Sequence, residues 1–189
     1  MQICDLPLEE YEKKIVEFHG SMAPGLIIGG FMVDLIVKNL PKDRFYDVIC
    51  ESMKCLPDAI QLLTPCSIGN GWLKIVKIGR FAMTFFDKET GDGLRAYLDT
   101  EKIKKYPAVN EWFFKLTPKH EQDADKLFET IRAAGAEIIS LQKVKVDTSI
   151  TRKKKGSKIA VCAKCNESYP GTESGNLCKV CSGAVIYYT

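Results

Sequence analysis

The stretch that decides the fold is Pro24-Gly25-Leu26-Ile27-Ile28-Gly29-Gly30-Phe31-Met32-Val33-Asp34-Leu35-Ile36-Val37-Lys38-Asn39-Leu40, closed by Pro41. Pro24 suits the first turn of a helix and Pro41 cannot continue one, so the stretch predicts a helix over 24–40. It is apolar nearly all round, which places it inside a core. Gly29 and Gly30 would let another backbone pack closely against it. The apolar run over 26–37 contains Asp34 and stops short of the roughly 20 residues that span a bilayer, so no membrane helix is expected.

Upstream, Leu8, Tyr11, Ile15 and Phe18 recur at three- and four-residue spacing, the face of an amphipathic helix with His19 at its end. Gly20-Ser21-Met22-Ala23 separates it from the buried helix. Downstream, residues 44–51 are rich in β-favouring side chains, and 58–63 read as a short helix with Asp58 near its cap. A loop over 64–71 follows. Strand-like runs at 72–78 and 81–86, joined through Gly79-Arg80, predict a β-hairpin. A strand over 94–98, a helix over 121–134 closed by Gly135 and a strand over 137–146 complete the pattern. Short turns favour antiparallel pairing, so the expected class is α+β, helices packed on a mainly antiparallel sheet.

The chain has 189 residues, enough for one domain with a small appendage. Hydrophobic residues make up 46% and charged residues 27%, which excludes a disordered or fibrous chain. Residues 151–189 hold seven Lys or Arg against two Glu, whereas the rest of the chain is slightly acidic. That balance does not suit a dedicated nucleic-acid binder, although the basic linker and tail could touch an acidic partner. The start of the sequence has no basic flank or apolar signal core, so a cytoplasmic location is expected. The expected organisation is a core domain over 1–147, a basic linker over 148–158 that includes Arg152-Lys153-Lys154-Lys155, and a finger over 159–189.

The finger rests on Cys162-Ala163-Lys164-Cys165, twelve intervening residues, then Cys178-Lys179-Val180-Cys181. Two CxxC knuckles at this separation supply four thiolates for one ion, a closed tetrahedral shell suited to structural Zn(II). A redox dithiol or an iron site is the alternative. So short a segment builds little core, and metal binding would supply its folding energy. The β-favouring residues after Cys181 point to a zinc ribbon; a treble clef is the alternative.

In the core, His19 and Cys66, with Cys55 nearby, form a second candidate set. A lone His or Cys is usually structural, but His19 and Cys66 lie where a helix meets an irregular loop. Imidazole and soft sulfur suit a borderline metal, so a second ion is expected to be possible here. The expectation is that His19 and Cys66 face one pocket, with Cys55 in reach and the following helix N-terminus lowering the Cys66 pKa. Asp58 and Gln61 share a helix face, where a cap is the simpler role. His120 reads as a solvated loop residue and Gly69-Asn70-Gly71 as a turn.

Phe18-His19-Gly20-Ser21-Met22-Ala23-Pro24-Gly25, Cys55-Leu56-Pro57-Asp58-Ala59-Ile60-Gln61 and Thr64-Pro65-Cys66-Ser67-Ile68-Gly69 together resemble the FmdE family of formylmethanofuran dehydrogenase components. The resemblance runs on through Gly79-Arg80-Phe81-Ala82-Met83-Thr84-Phe85. It implies an α+β core, often dimeric, with a metal site that carries over to His19, Cys55 and Cys66. It also implies association with molybdenum or tungsten enzymes of C1 metabolism, in a component that does not hold the pterin cofactor. The first motif of the family usually reads Phe-His-Gly-His-x-Cys-Pro-Gly; here Ser21 and Ala23 replace two potential ligands. Three readings follow: a metal-binding accessory protein with oxidoreductase subunits as partners, a stand-alone metal-dependent enzyme using the His/Cys pocket, or a zinc-finger adaptor on a vestigial core. A homodimer with no membrane association is expected.

Overall fold

The computed structural model describes residues 1–150, 158–171 and 176–186. The chain divides into two compact units, Met1–Ile150 and Thr151–Thr189.

In the first unit, a two-stranded antiparallel hairpin, β1 (Gln2–Ile3) and β2 (Leu6–Pro7), leads into helix α1 (Leu8–His19). Gly20, with φ +85°, ends α1 in the left-handed conformation that glycine adopts without penalty. Helix α2 (Pro24–Asn39) follows, with proline in its first turn and its apolar residues buried. Its two central glycines meet different neighbours. The Tyr11 ring of α1 lies over Gly30, and its hydroxyl donates to the Leu26 carbonyl at 2.8 Å. Gly29 faces Leu56 and Ala59 of α3 (Leu56–Leu63). Close helix contact is what the small residues allow.

The sheet comprises β3 (Tyr46–Cys50), β4 (Leu73–Ile75), β5 (Ala82–Asp87), β6 (Asp92–Leu98) and β7 (Ile139–Lys145), in the order β4-β3-β5-β6-β7. Helices α4 (Pro107–Phe114) and α5 (Ala124–Ala134) lie between β6 and β7 in sequence, and α2 packs against β6 and α5. All neighbours are antiparallel except β3 and β4. The expected hairpin over 72–86 therefore does not form. Strand β3 lies between the two runs, with Val48 opposite Leu73 on one side and Phe85 on the other. After β4 the chain keeps bonding to β3, through Val76 N–H to the Cys50 carbonyl and Gly79 N–H to the Glu51 carbonyl. A turn through Gly79-Arg80 thus carries the chain over the end of β3 instead of back onto β4.

Helix α5 begins at Ala124, three residues later than expected. The Asp123 side chain caps it by accepting from Lys126 N–H. Just beyond β3, the buried Glu51 carboxylate accepts from Arg95 at 2.6 and 2.9 Å and pairs with the exposed Arg80 at 2.6 Å. Burial pushes this carboxyl up, but the Arg95 bonds and the two guanidinium charges outweigh it and hold it below the usual carboxylate range.

The second unit contains β8 (Ile159–Val161) and β9 (Ser168–Pro170), paired antiparallel. Of the expected linker, 148–150 form a short helical turn, while 151–157, with the run 152–155, lie outside the described residues. No helix among the described residues is long and apolar enough to cross a membrane.

Candidate metal centre

Strand β8 delivers Cys162 to the first knuckle. There Cys162 N–H donates to the Glu167 carbonyl and Asn166 N–H to the Cys162 carbonyl, both at 2.9 Å, and Asn166 takes φ +60° to close the turn. The second knuckle is held against the first by Cys178 N–H donating to Cys162 Sγ at 3.3 Å, and is closed on itself by Cys181 N–H donating to Cys178 Sγ at 3.4 Å. Cys162, Cys165, Cys178 and Cys181 place their four sulfurs within 4.8 Å of one another. Cys165 and Cys178 Sγ are 3.9 Å apart. A tetrahedral Zn(II) with bonds of about 2.3 Å sets its sulfurs roughly 3.8 Å apart, so the residues fit the ion.

The electrostatics agree with this fit. The Cys178 and Cys165 amides lower the Cys162 thiol to about 6. Burial and the neighbouring sulfurs raise Cys181 to about 12. Four thiols this close cannot all ionise unaided, and a dication would balance them. All four positions are filled by protein, which is the arrangement of a structural site.

The tail strand expected after Cys181 is not formed in its described part. Residues 182–186 turn back instead, with Gly183 N–H donating to the Val180 carbonyl and Val185 N–H to the Lys179 carbonyl, both at 3.0 Å. Residues 187–189 lie outside the described residues.

The core donors behave differently. His19 Nδ1 bonds Asp58 Oδ2 at 2.7 Å, so the last residue of α1 is tied to the first turn of α3. Asp58 therefore does not cap α3, contrary to the simpler reading; it orients an imidazole. Gln61 accepts from Ile68 N–H at 3.3 Å and steadies the following loop. Cys55 occupies a γ-turn of the rare hand, with φ +60°, ψ −58° and Leu56 N–H donating to the Lys54 carbonyl at 2.7 Å. Its sulfur lies so close to α2 that a Cβ on Gly25 would meet it at 2.9 Å. Burial raises its thiol pKa.

Cys66 lies past the opposite end of α3, a helix of eight residues and therefore about 12 Å long. It is buried, and its thiol donates to the Tyr46 carbonyl at 3.3 Å. Burial raises its pKa, the reverse of the expected helix-terminus effect. His19, Cys55 and Cys66 thus do not gather into one site. Among the described residues, only the finger sulfurs form a group of three or more potential ligands within mutual reach. A second metal in the core is therefore not shown. His120 is exposed beside Glu121, as expected of a solvated residue, but on a short helical turn over Lys119–Glu121 and not in a loop.

A sheet covered by helices, followed by a closed four-thiolate finger, defines an α+β protein with a structural zinc module. The chain belongs to the FmdE family, described as "Molybdenum formylmethanofuran dehydrogenase operon", whose profile matches residues 18–147, and residues 153–188 match the "FmdE treble clef zinc finger". The finger is accordingly a treble clef and not the ribbon that local propensity favoured.

The crystal structure of a tungsten formylmethanofuran dehydrogenase FmdE-like protein from Syntrophus aciditrophicus is similar at 48% identity. Its TM-score is 0.89, and the match covers 99% of this chain and 98% of that one. A probable S-adenosyl-L-methionine-binding protein of Archaeoglobus fulgidus is 26% identical over 91% of this chain, and the chain spans about half that relative's length, 52%.

Proposed function

We propose that this chain is a zinc-bearing accessory protein of the FmdE type, which serves a molybdenum or tungsten C1 oxidoreductase through protein contacts and does not itself hold the redox cofactor. The observation that carries this reading is the closed shell of Cys162, Cys165, Cys178 and Cys181 attached to an FmdE core, since a filled shell offers structure instead of an open coordination position. The reading assigns the resident metal to the finger alone, because His19, Cys55 and Cys66 do not form a group within mutual reach. It has the protein act in the cytoplasm as a homodimer.

The test is reconstitution of zinc-loaded full-length chain with purified catalytic subunits of a tungsten or molybdenum formylmethanofuran dehydrogenase, followed by size-exclusion chromatography with mass detection. A complex that forms with the intact chain and weakens at least tenfold with Cys178→Ser is expected. Failure of the zinc-loaded chain to associate overturns the proposal.

A further inference from the structure

A cavity of about 450 Å³ opens in the first unit between the last turns of α2, β5 and the segment that follows α3. This is within the size range of small-molecule sites, roughly 300–1,000 Å³. A second cavity of about 350 Å³ adjoins it and shares Leu40, Pro41, Arg44 and Tyr46. Neither His19 nor Cys55 lines either one.

The inner wall is apolar in effect as well as in composition. Leu63, Phe85 and the Tyr46 ring present carbon, and the exposed Val37 stands at the mouth. Three of its polar groups are committed to the backbone as donors: Tyr46 hydroxyl to the Pro41 carbonyl at 3.2 Å, Thr64 hydroxyl to Ile60 at 2.7 Å and Cys66 thiol to Tyr46 at 3.3 Å. Such a wall rewards a hydrocarbon or aromatic body more than a polar one.

The rim has the opposite character. Lys38, Lys42 and Arg44 line it, with Asp5 and Asp34 as the acids. Asp34 is committed to Cys4 N–H and to Lys38, each at 2.7 Å. That leaves Lys42 and Arg44 on the rim, with Asp5 lining it and Asp87 paired to Arg44. Arg44 holds Asp87 only through a 3.3 Å contact, and Lys42 has no hydrogen bond or ion pair among the described residues.

We propose that this cavity binds a small amphipathic anion, with its apolar body against Phe85 and Leu63 and a carboxylate-type head at Lys42 and Arg44. Phe45 joins the site to a reporter, because its ring packs edge-on against Trp72 with centroids 4.6 Å apart.

The probe is decanoate, added below its micellar range to zinc-loaded full-length chain and followed by calorimetry. Saturable binding at one per chain is expected, with a change in tryptophan emission at the same midpoint. Val37→Trp, on the exposed side of α2, should abolish it by filling the cavity. Lys42→Glu combined with Arg44→Gln should weaken it about tenfold, since exposed charge contacts are each modest. Decanol should bind more weakly than decanoate by a similar factor.

Peptide mapping provides an independent readout. Bound decanoate should slow alkylation of Cys4, which lines the cavity, and leave Cys55 unchanged. Thermal unfolding of both variants checks that they remain folded. No saturable binding, or binding that survives Val37→Trp in a folded variant, overturns the proposal.

Discussion

Gly30→Ala should destabilise the core although alanine is the better helix former. A Cβ at Gly30 would sit 2.5 Å from Tyr11 Cε1, 2.8 Å from Cζ and 3.0 Å from Ile3 Cδ1. Tyr11 cannot swing away, because the ring is fully buried and its hydroxyl is bonded to Leu26. The helix gains at most about 1 kcal/mol from the substitution. Overpacking costs about 1–3 kcal/mol, and displacing the ring forfeits a buried hydrogen bond of about 1 kcal/mol. The net expectation is a loss of about 1–3 kcal/mol, or about 2–4 °C in Tm for each kcal/mol in a protein of this size. Urea unfolding followed by circular dichroism measures it. Gly69→Ala serves as the control, since its nearest contact would be Ser67 Oγ at 3.9 Å. A Gly30→Ala protein as stable as the parent would refute the close approach of α1 to α2.

Glu51→Gln should cost about 2–3 kcal/mol, mostly through the largely buried Arg95, because the contact to exposed Arg80 is screened. The Glu51 carboxyl is held below its unfolded value, so its contribution is present above the ordinary Glu pKa of about 4.3 and is lost as pH falls through the folded value. A urea series across that acid range should show the parent and variant converging. Asp47 is the reverse case. Its Oδ1 is buried without a partner, and burial raises its pKa. Asp47→Asn should therefore stabilise the core by about 1 kcal/mol at neutral pH, and the advantage should vanish below about pH 4, where the unfolded aspartate is protonated too. Equal midpoints for parent and variant at pH 7 would count against a charged Asp47 in the folded state.

The buried helix was readable because all-round apolarity has few other uses, and the four finger ligands because CxxC spacing has a direct geometric meaning. The sheet order was not. A hairpin is the local inference from two strands and a Gly-containing turn, but β4 gains its bonds from β3, which precedes it by more than twenty residues. The finger's turn after Cys181 overrode the β propensity of Val185 and Ile186, since knuckle hydrogen bonds set that backbone. In the core, the loop positions and the resemblance both put His19 and Cys66 together, yet α3 holds them at opposite ends. The partner of His19 is Asp58, 39 residues away, and only a search for an acceptor for the imidazole N–H would have pointed to it.

The most direct test of the account is zinc content measured on three purified proteins: the full chain, Cys178→Ser and residues 1–147. The account predicts one zinc per full chain, none in residues 1–147, and loss of zinc in Cys178→Ser with the thermal unfolding of the core unchanged. Stoichiometric zinc retained by residues 1–147 would contradict it, because the core would then hold a metal although His19, Cys55 and Cys66 do not lie within mutual reach.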